Sequence, residues 1–192
     1  MAAEPGLLRR AWHDLHRHID DWCRDRVWWY RVPLLAFMAW MAVQHSNDRA
    51  YQSIFGGINL GIHEMGHMLF GYLGEFLGVA GGTILQCAAP IIAAVVLVRV
   101  PDWFGVPFCM TWLGTNLCYV AVYMADARAQ VLPLVSVGGG DVIHDWDYLL
   151  HTLGLLQADT AIAGMVTVAA WAFLWGGVVA GAWMIWKMYA QK

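Results

Sequence analysis

The chain has 192 residues, of which 60% are apolar and only 13% are charged. A soluble globular domain carries about a quarter charged residues, so that class is excluded and a membrane bundle is indicated. A net charge of −3 argues against nucleic acid as a partner.

Twelve Trp and twenty Gly suit a helical membrane domain, with Trp at the interfaces and Gly at close helix contacts. The four cysteines, Cys23, Cys87, Cys109 and Cys118, form no Cys-x-x-Cys pair. The last three lie in apolar segments and read as packing residues. The expectation is an all-α polytopic membrane protein of about five transmembrane helices preceded by an amphipathic helix, with residues 1–26 as the surface helix and 27–192 as the membrane-embedded domain.

Within 6–26, Leu8, Trp12, Leu15, Ile19 and Trp22 recur at helical spacing and make an apolar stripe. Arg and Asp residues fill the other face, as in a helix lying on a membrane or against the bundle. His13, His16 and His18 read as solvated residues, because they do not share one face. The first 30 residues lack a cleavable signal pattern, so the first apolar helix is expected to serve as the insertion signal. That span covers 27–44, with Trp28, Trp29 and Tyr30 as an aromatic anchor. A polar turn, Gln44 to Arg49, ends it. The second span is 52–73, where Gly57, Gly61 and Gly66 offer a small face to a neighbour. The third is 78–99, interrupted by Gly81-Gly82 and Pro90. The fourth is 103–125, and the fifth, 160–186, ends in an interfacial belt of Trp183, Trp186 and Tyr189.

A long polar segment, 126–159, separates the last two spans and holds Asp126, Arg128, Asp141, His144, Asp145, Asp147, His151 and Asp159. Gly138-Gly139-Gly140 permits a tight turn before Asp141. Residues 141–156 are expected to form a short helix with Asp141 as its N-cap. Six of the eleven basic residues precede or open the first span, so the N-terminus is expected in the cytoplasm, as in a multi-pass protein of the cell (inner) membrane. Five alternating spans then carry the second span back toward the cytoplasm and deliver the 126–159 loop to that same face.

The chemistry is concentrated in Ile62-His63-Glu64-Met65-Gly66-His67-Met68 of the second span. His-Glu-x-x-His on a helix places both imidazoles on one face, roughly 6 Å apart, where they can supply two ligands to Zn²⁺. Glu64 stands where a carboxylate can act as general base toward a water activated by the metal. Ionisable groups at membrane depth are costly and mark functional sites. A catalytic zinc takes three protein ligands. The third is expected from the polar loop: His144 first, Asp126 second, then Asp141, Asp145, Asp147 and His151. Asn116 and Gln86 are polar groups within spans that read as interhelical hydrogen-bonding partners, Asn116 with oxyanion stabilisation as its alternative.

With His-Glu-x-x-His on a membrane helix, a Gly/Pro-broken helix after it and then a helix delivering an Asp, residues 52–126 resemble the site-2 protease family of intramembrane zinc metalloproteases. The resemblance implies His63 and His67 as zinc ligands and Glu64 as the catalytic acid/base. That family's third ligand is an Asp in a Leu-Asp-Gly or Asn-Pro-x-x-Asp-Gly motif, which this sequence lacks. Asn116 and Asp126 stand in comparable order, but Asp126 is followed by Ala-Arg, and no PDZ-like insertion is present, as in a divergent branch.

The leading expectation is therefore a zinc metalloendopeptidase that cleaves a transmembrane or membrane-proximal peptide segment. Two alternatives stay open: a membrane metallohydrolase acting on a lipid-like amide or ester, and a non-enzymatic metal-binding assembly factor. A site closed by four protein ligands, with His144 and Asp126 joining the two histidines, marks the last.

Overall fold

The structure is a computed structural model that describes residues 6–133 and 144–191. Its secondary structure there is helical throughout: α1 (Leu7–Cys23), α2 (Val32–Asn47), α3 (Gly56–Phe70), α4 (Glu75–Arg99), α5 (Gly105–Ala125), α6 (Asp145–Thr152) and α7 (Asp159–Ala190). Three stretches are long and apolar enough to cross a membrane: α4, α5 and Leu156–Ala190, which contains α7. The two remaining expected spans are shorter. α2 has 16 residues and α3 has 15, or about 24 and 22 Å at 1.5 Å per residue, against a hydrocarbon core of about 30 Å.

One end of the bundle gathers α1, the start of α2, the turn between α4 and α5, and the end of α7. There Trp22, Cys23, Phe104, Met184 and Met188 form one buried cluster. The Trp22 indole donates to the Pro101 carbonyl at 2.6 Å, and Lys187 pairs with Asp20 at 2.9 Å. The opposite end gathers the C-terminal ends of α2 and α5 and the start of α7. There His45 sits edge-on to Tyr51 and Tyr119, and Arg128 holds Asp159 at 2.7 Å. Hence α2 and α5 run one way, α4 and α7 the other.

α3 breaks the expected alternation. After Asn47 the chain doubles back, with Tyr51 against Trp40 and Phe55 against Phe37, Phe108 and Trp112. The fold-back is pinned by Tyr119, whose hydroxyl accepts the Ser53 N–H at 2.7 Å and donates to Ser53 Oγ at 2.6 Å. α3 therefore begins beside the first turns of α5 and climbs in the same direction as α5. His63 and His67 end up remote from α1, not on its side as simple alternation of spans requires. A short 3₁₀ turn (Gly71–Leu73) and Gly74, at φ 104°, then reverse the chain into α4. That left-handed conformation costs a residue with a Cβ far more than glycine.

α4 is continuous through Gly81, Gly82 and Pro90, which were expected to interrupt it. The glycines serve close approach instead. A Cβ on Gly66 would collide with the Gly81 carbonyl, and one on Gly81 would lie 2.6 Å from the Gly66 carbonyl. Gly57 and Gly61, also expected to pack, have open space around them. α6 begins at Asp145, four residues later than expected, with His144 as its N-cap: His144 Nδ1 accepts the Asp147 N–H at 3.2 Å. Asp141 and Gly138-Gly139-Gly140 lie outside the described residues.

This packing sets a contrast between two identical substitutions. Gly66→Ala is expected to lower stability by about 1–3 kcal/mol, the usual cost of forced overpacking. Gly61→Ala should leave stability unchanged or raise it by up to about 1 kcal/mol through helix propensity. Thermal unfolding of the purified proteins in one detergent measures both.

Candidate metal centre

His63 and His67 lie one turn apart on α3, with ring centroids separated by 4.6 Å. Their Nε2 atoms converge on a single oxygen of Asp145, at 2.9 Å from His63 and 3.3 Å from His67. One ligand atom from each of His63, His67 and Asp145 falls within 4.8 Å of the others, which makes them a group able to hold a metal ion. The backbone permits this because Gly82 lies directly beneath both rings. A Cβ there would sit 2.6 Å from His63 Nε2 and 2.7 Å from His67 Cε1.

The protonation of the two rings is set by what lies behind them. His67 Nδ1 donates to the Gly78 carbonyl at 2.9 Å. His63 Nδ1 faces Gln86 Oε1 at 3.1 Å, and the orientation of that amide follows from a chain of bonds that begins at a proline. Pro90 has no N–H, which frees the carbonyl of the residue four before it. That residue is Gln86, and its carbonyl accepts Asn116 Nδ2 at 2.7 Å. Asn116 Oδ1 then faces Gln86 Nε2 at 3.4 Å, so Gln86 presents its oxygen, not its nitrogen, to His63.

Both Nδ1 positions thus carry hydrogen and spend it on neutral acceptors. Each Nε2 turns its lone pair toward a carboxylate oxygen, an arrangement that repels unless a proton or a cation lies between. Two protons would leave a doubly charged pair of imidazoles facing one carboxylate. One divalent cation bound by two imidazoles and a carboxylate meets the same need, with each imidazole oriented from behind as in known zinc sites. The donor set therefore fits Zn²⁺. Asp145 is buried, which pushes its carboxyl up. With no cation bound and protons on the two Nε2 atoms, the opposing pull of His63 and His67 is greater in sum and holds it below the usual carboxylate range. Its backbone N–H donates to the Tyr123 hydroxyl at 3.1 Å, which fixes the start of α6 against α5.

The two residues ranked first as third ligand are engaged elsewhere. Asp126 closes the turn after α5: its two oxygens accept the N–H groups of Val131 and Leu132 at 2.9 and 3.0 Å. His144 spends Nδ1 on capping α6 and places Nε2 3.5 Å from Asp126. No hydrogen bond joins them, His144 Nε2 being buried without a partner among the described residues, and neither belongs to the histidine cluster. Asp147 and His151 are likewise outside it. Asn116, with oxyanion stabilisation as its alternative, has both ends of its amide committed to Gln86.

Glu64 has no hydrogen bond or ion pair among the described residues, and its charge is felt at His67 and Tyr123. It is thus a partly exposed, uncommitted carboxylate beside the centre. The contributions that sequence reasoning missed are Tyr123 and Gly82. Neither has a local signature, since each acts through a neighbour distant in the chain. No family model, curated protein or solved structure matches this chain.

The geometry predicts the outcome of elemental analysis on protein purified with zinc supplied. Wild type should hold about one zinc per chain, and His67→Ala and Asp145→Ala should lose it. Asp126→Ala should keep it. Gln86→Leu, which removes the acceptor behind His63, should weaken zinc affinity about 10–100-fold in a competition titration.

Proposed function

We propose that the chain is an intramembrane zinc metallohydrolase that cleaves a peptide bond in a transmembrane or membrane-proximal segment. The observation that carries this reading is the convergence of two back-oriented imidazoles and Asp145, with the uncommitted carboxylate of Glu64 beside them. A site closed by four protein ligands, the mark of a purely structural role, would need His144 or Asp126. Their place outside the cluster supports the open, three-ligand arrangement of a catalytic centre.

A Zn²⁺ ion held by His63, His67 and Asp145 would supply Lewis acidity toward a water. Glu64 takes the proton as the water oxygen attacks the peptide carbonyl carbon. It returns that proton to the nitrogen as the C–N bond breaks, so the products are a carboxylic acid and an amine. The Tyr123 hydroxyl accepts from Asp145 N–H and has no acceptor of its own among the described residues. Its proton is free to stabilise the developing oxyanion. A helical substrate must unwind locally, because its carbonyls are otherwise hydrogen-bonded.

The same reading assigns sidedness. On this reading α4, α5 and α7 cross the membrane, α2 crosses together with the 3₁₀ turn (Trp29–Arg31) that precedes it, and α3 is a short re-entrant helix whose backbone is satisfied by its own helical hydrogen bonds. Among the described residues, Arg9, Arg10, Arg17, Arg24, Arg26, Arg31, Arg99 and Lys187 belong to the end that holds α1, and only Arg49 and Arg128 to the other. The positive-inside rule places the α1 end in the cytoplasm. The metal centre then faces the opposite side, and the substrate is cut near its extracytoplasmic end.

Two measurements test this. Glu64→Gln should retain zinc yet lose peptide cleavage by about two orders of magnitude or more. Turnover equal to wild type would end the hydrolase reading, and cleavage of lipid amides with no peptide cleavage would move it to a lipid substrate. For sidedness, a cysteine introduced at Ala129 should react with an impermeant maleimide in intact cells, whereas one at His13 should react only after permeabilisation. The reverse pattern would invert the assignment.

A further inference from the structure

A cavity of about 310 Å³ lies between α2, α5 and α7, at the same end of the bundle as the metal centre. It is a separate compartment. Asn116 and Tyr123, seven residues apart, put the metal-side face of α5 on one side of that helix. Cys118, Ala121, Val122 and Ala125 line the cavity at i, i+3, i+4 and i+7, which is the opposite face. The α7 wall includes Ala163 and Gly164, so small residues on both helices leave a trough where larger side chains would have packed.

Three polar groups edge this apolar space without partners. His45 is 1% exposed, and both its ring nitrogens are buried with no hydrogen bond. The Trp171 indole N–H is also buried and unanswered. Both residues line the cavity, as does Arg49, whose exposed guanidinium makes no ion pair or hydrogen bond among the described residues. The neighbouring Asp48 instead accepts the Ala50 N–H at 2.9 Å. Buried polar groups in folded proteins are nearly always hydrogen-bonded, so the unanswered His45 ring and Trp171 N–H at one cavity point to a ligand, with Arg49 as a cation on the same wall. Arg49 and the Trp171 N–H are donors, which fixes the ligand's head as an acceptor and an anion. The apolar trough fixes its tail. The volume sits at the lower end of the small-molecule range, enough for one chain and too small for a whole two-chain lipid.

We propose that this cavity binds one acyl chain of an anionic amphiphile, with its carboxylate or phosphate at Arg49 and its chain between α5 and α7. The site depends on neither metal nor Glu64, so it stands or falls apart from the hydrolase reading. The test is photolabelling of the full chain in a neutral detergent, with adducts mapped by mass spectrometry. Three probes carry the same diazirine chain: a fatty acid, a lysophosphatidic acid and a neutral monoacylglycerol. In wild type, adducts from the anionic probes should concentrate in 118–125 and 160–171, and the stronger of the two tells carboxylate from phosphate. Arg49→Gln should cut anionic labelling there about tenfold, and leave the weak labelling by monoacylglycerol unchanged. Gly164→Leu should abolish labelling without lowering the unfolding temperature, because a Cβ at Gly164 meets open space. The proposal is overturned if adducts fall equally on exposed Ile91 and Ile92 of α4, if monoacylglycerol labels the cavity as strongly as the anions, or if Arg49→Gln changes nothing.

Discussion

A missing hydrogen organises the centre of this protein. Pro90 leaves the Gln86 carbonyl unbonded inside α4, and at membrane depth an orphaned carbonyl must find a protein donor. Asn116 is that donor, its amide then dictates which way the Gln86 amide points, and Gln86 in turn dictates which nitrogen of His63 carries hydrogen. Three helices are thereby joined by one line of polar bonds, whose far end is a lone pair aimed at Asp145. A proline that would merely weaken a soluble helix here sets, by way of Asn116 on α5, the tautomer of a histidine on the neighbouring helix α3.

The glycines make that line possible by distance. Polar side chains as short as Asn and Gln bridge helices only where backbones nearly touch, and Gly66 against Gly81 brings α3 and α4 to that separation. The saving in space recurs at Gly82, where the absent side chain is the floor on which both imidazoles rest. Close packing and site geometry are therefore one property. Any added carbon along this seam displaces the two imidazoles as well as the helices.

Much of this was legible in the sequence, and the illegible part has a physical reason. His63 and His67 were legible because the i, i+4 relation is local and holds on any helix. α4, α5 and α7 were legible because length and apolarity suffice to recognise them. The direction of α3 was not, because hydropathy carries no information about a fold-back held by Ser53 and Tyr119. The third member of the cluster was misranked for a related reason. His144 and Asp126 are equally good ligands in isolation, and only the folded chain shows that one caps α6 and the other closes a turn. Gly57 and Gly61 looked as suited to packing as Gly66, since the choice belongs to the partner helix. The Gly-rich run before α6 lies outside the described residues.

His63 and Asp145 meet although 82 residues separate them in the chain, and α6, which brings Asp145 in, has only eight residues. Any cation shared by them closes a covalent-scale loop through α4 and α5, with the entropic leverage on the unfolded chain that a disulfide of that span would have, roughly 4–5 kcal/mol at most. The centre is in this sense a removable cross-link. Such a cross-link would act on one short helix, which is otherwise held by the Asp145–Tyr123 hydrogen bond and by Leu150 packed against α5, so its removal would loosen the segment that completes the site and leave the α5–α7 framework fastened.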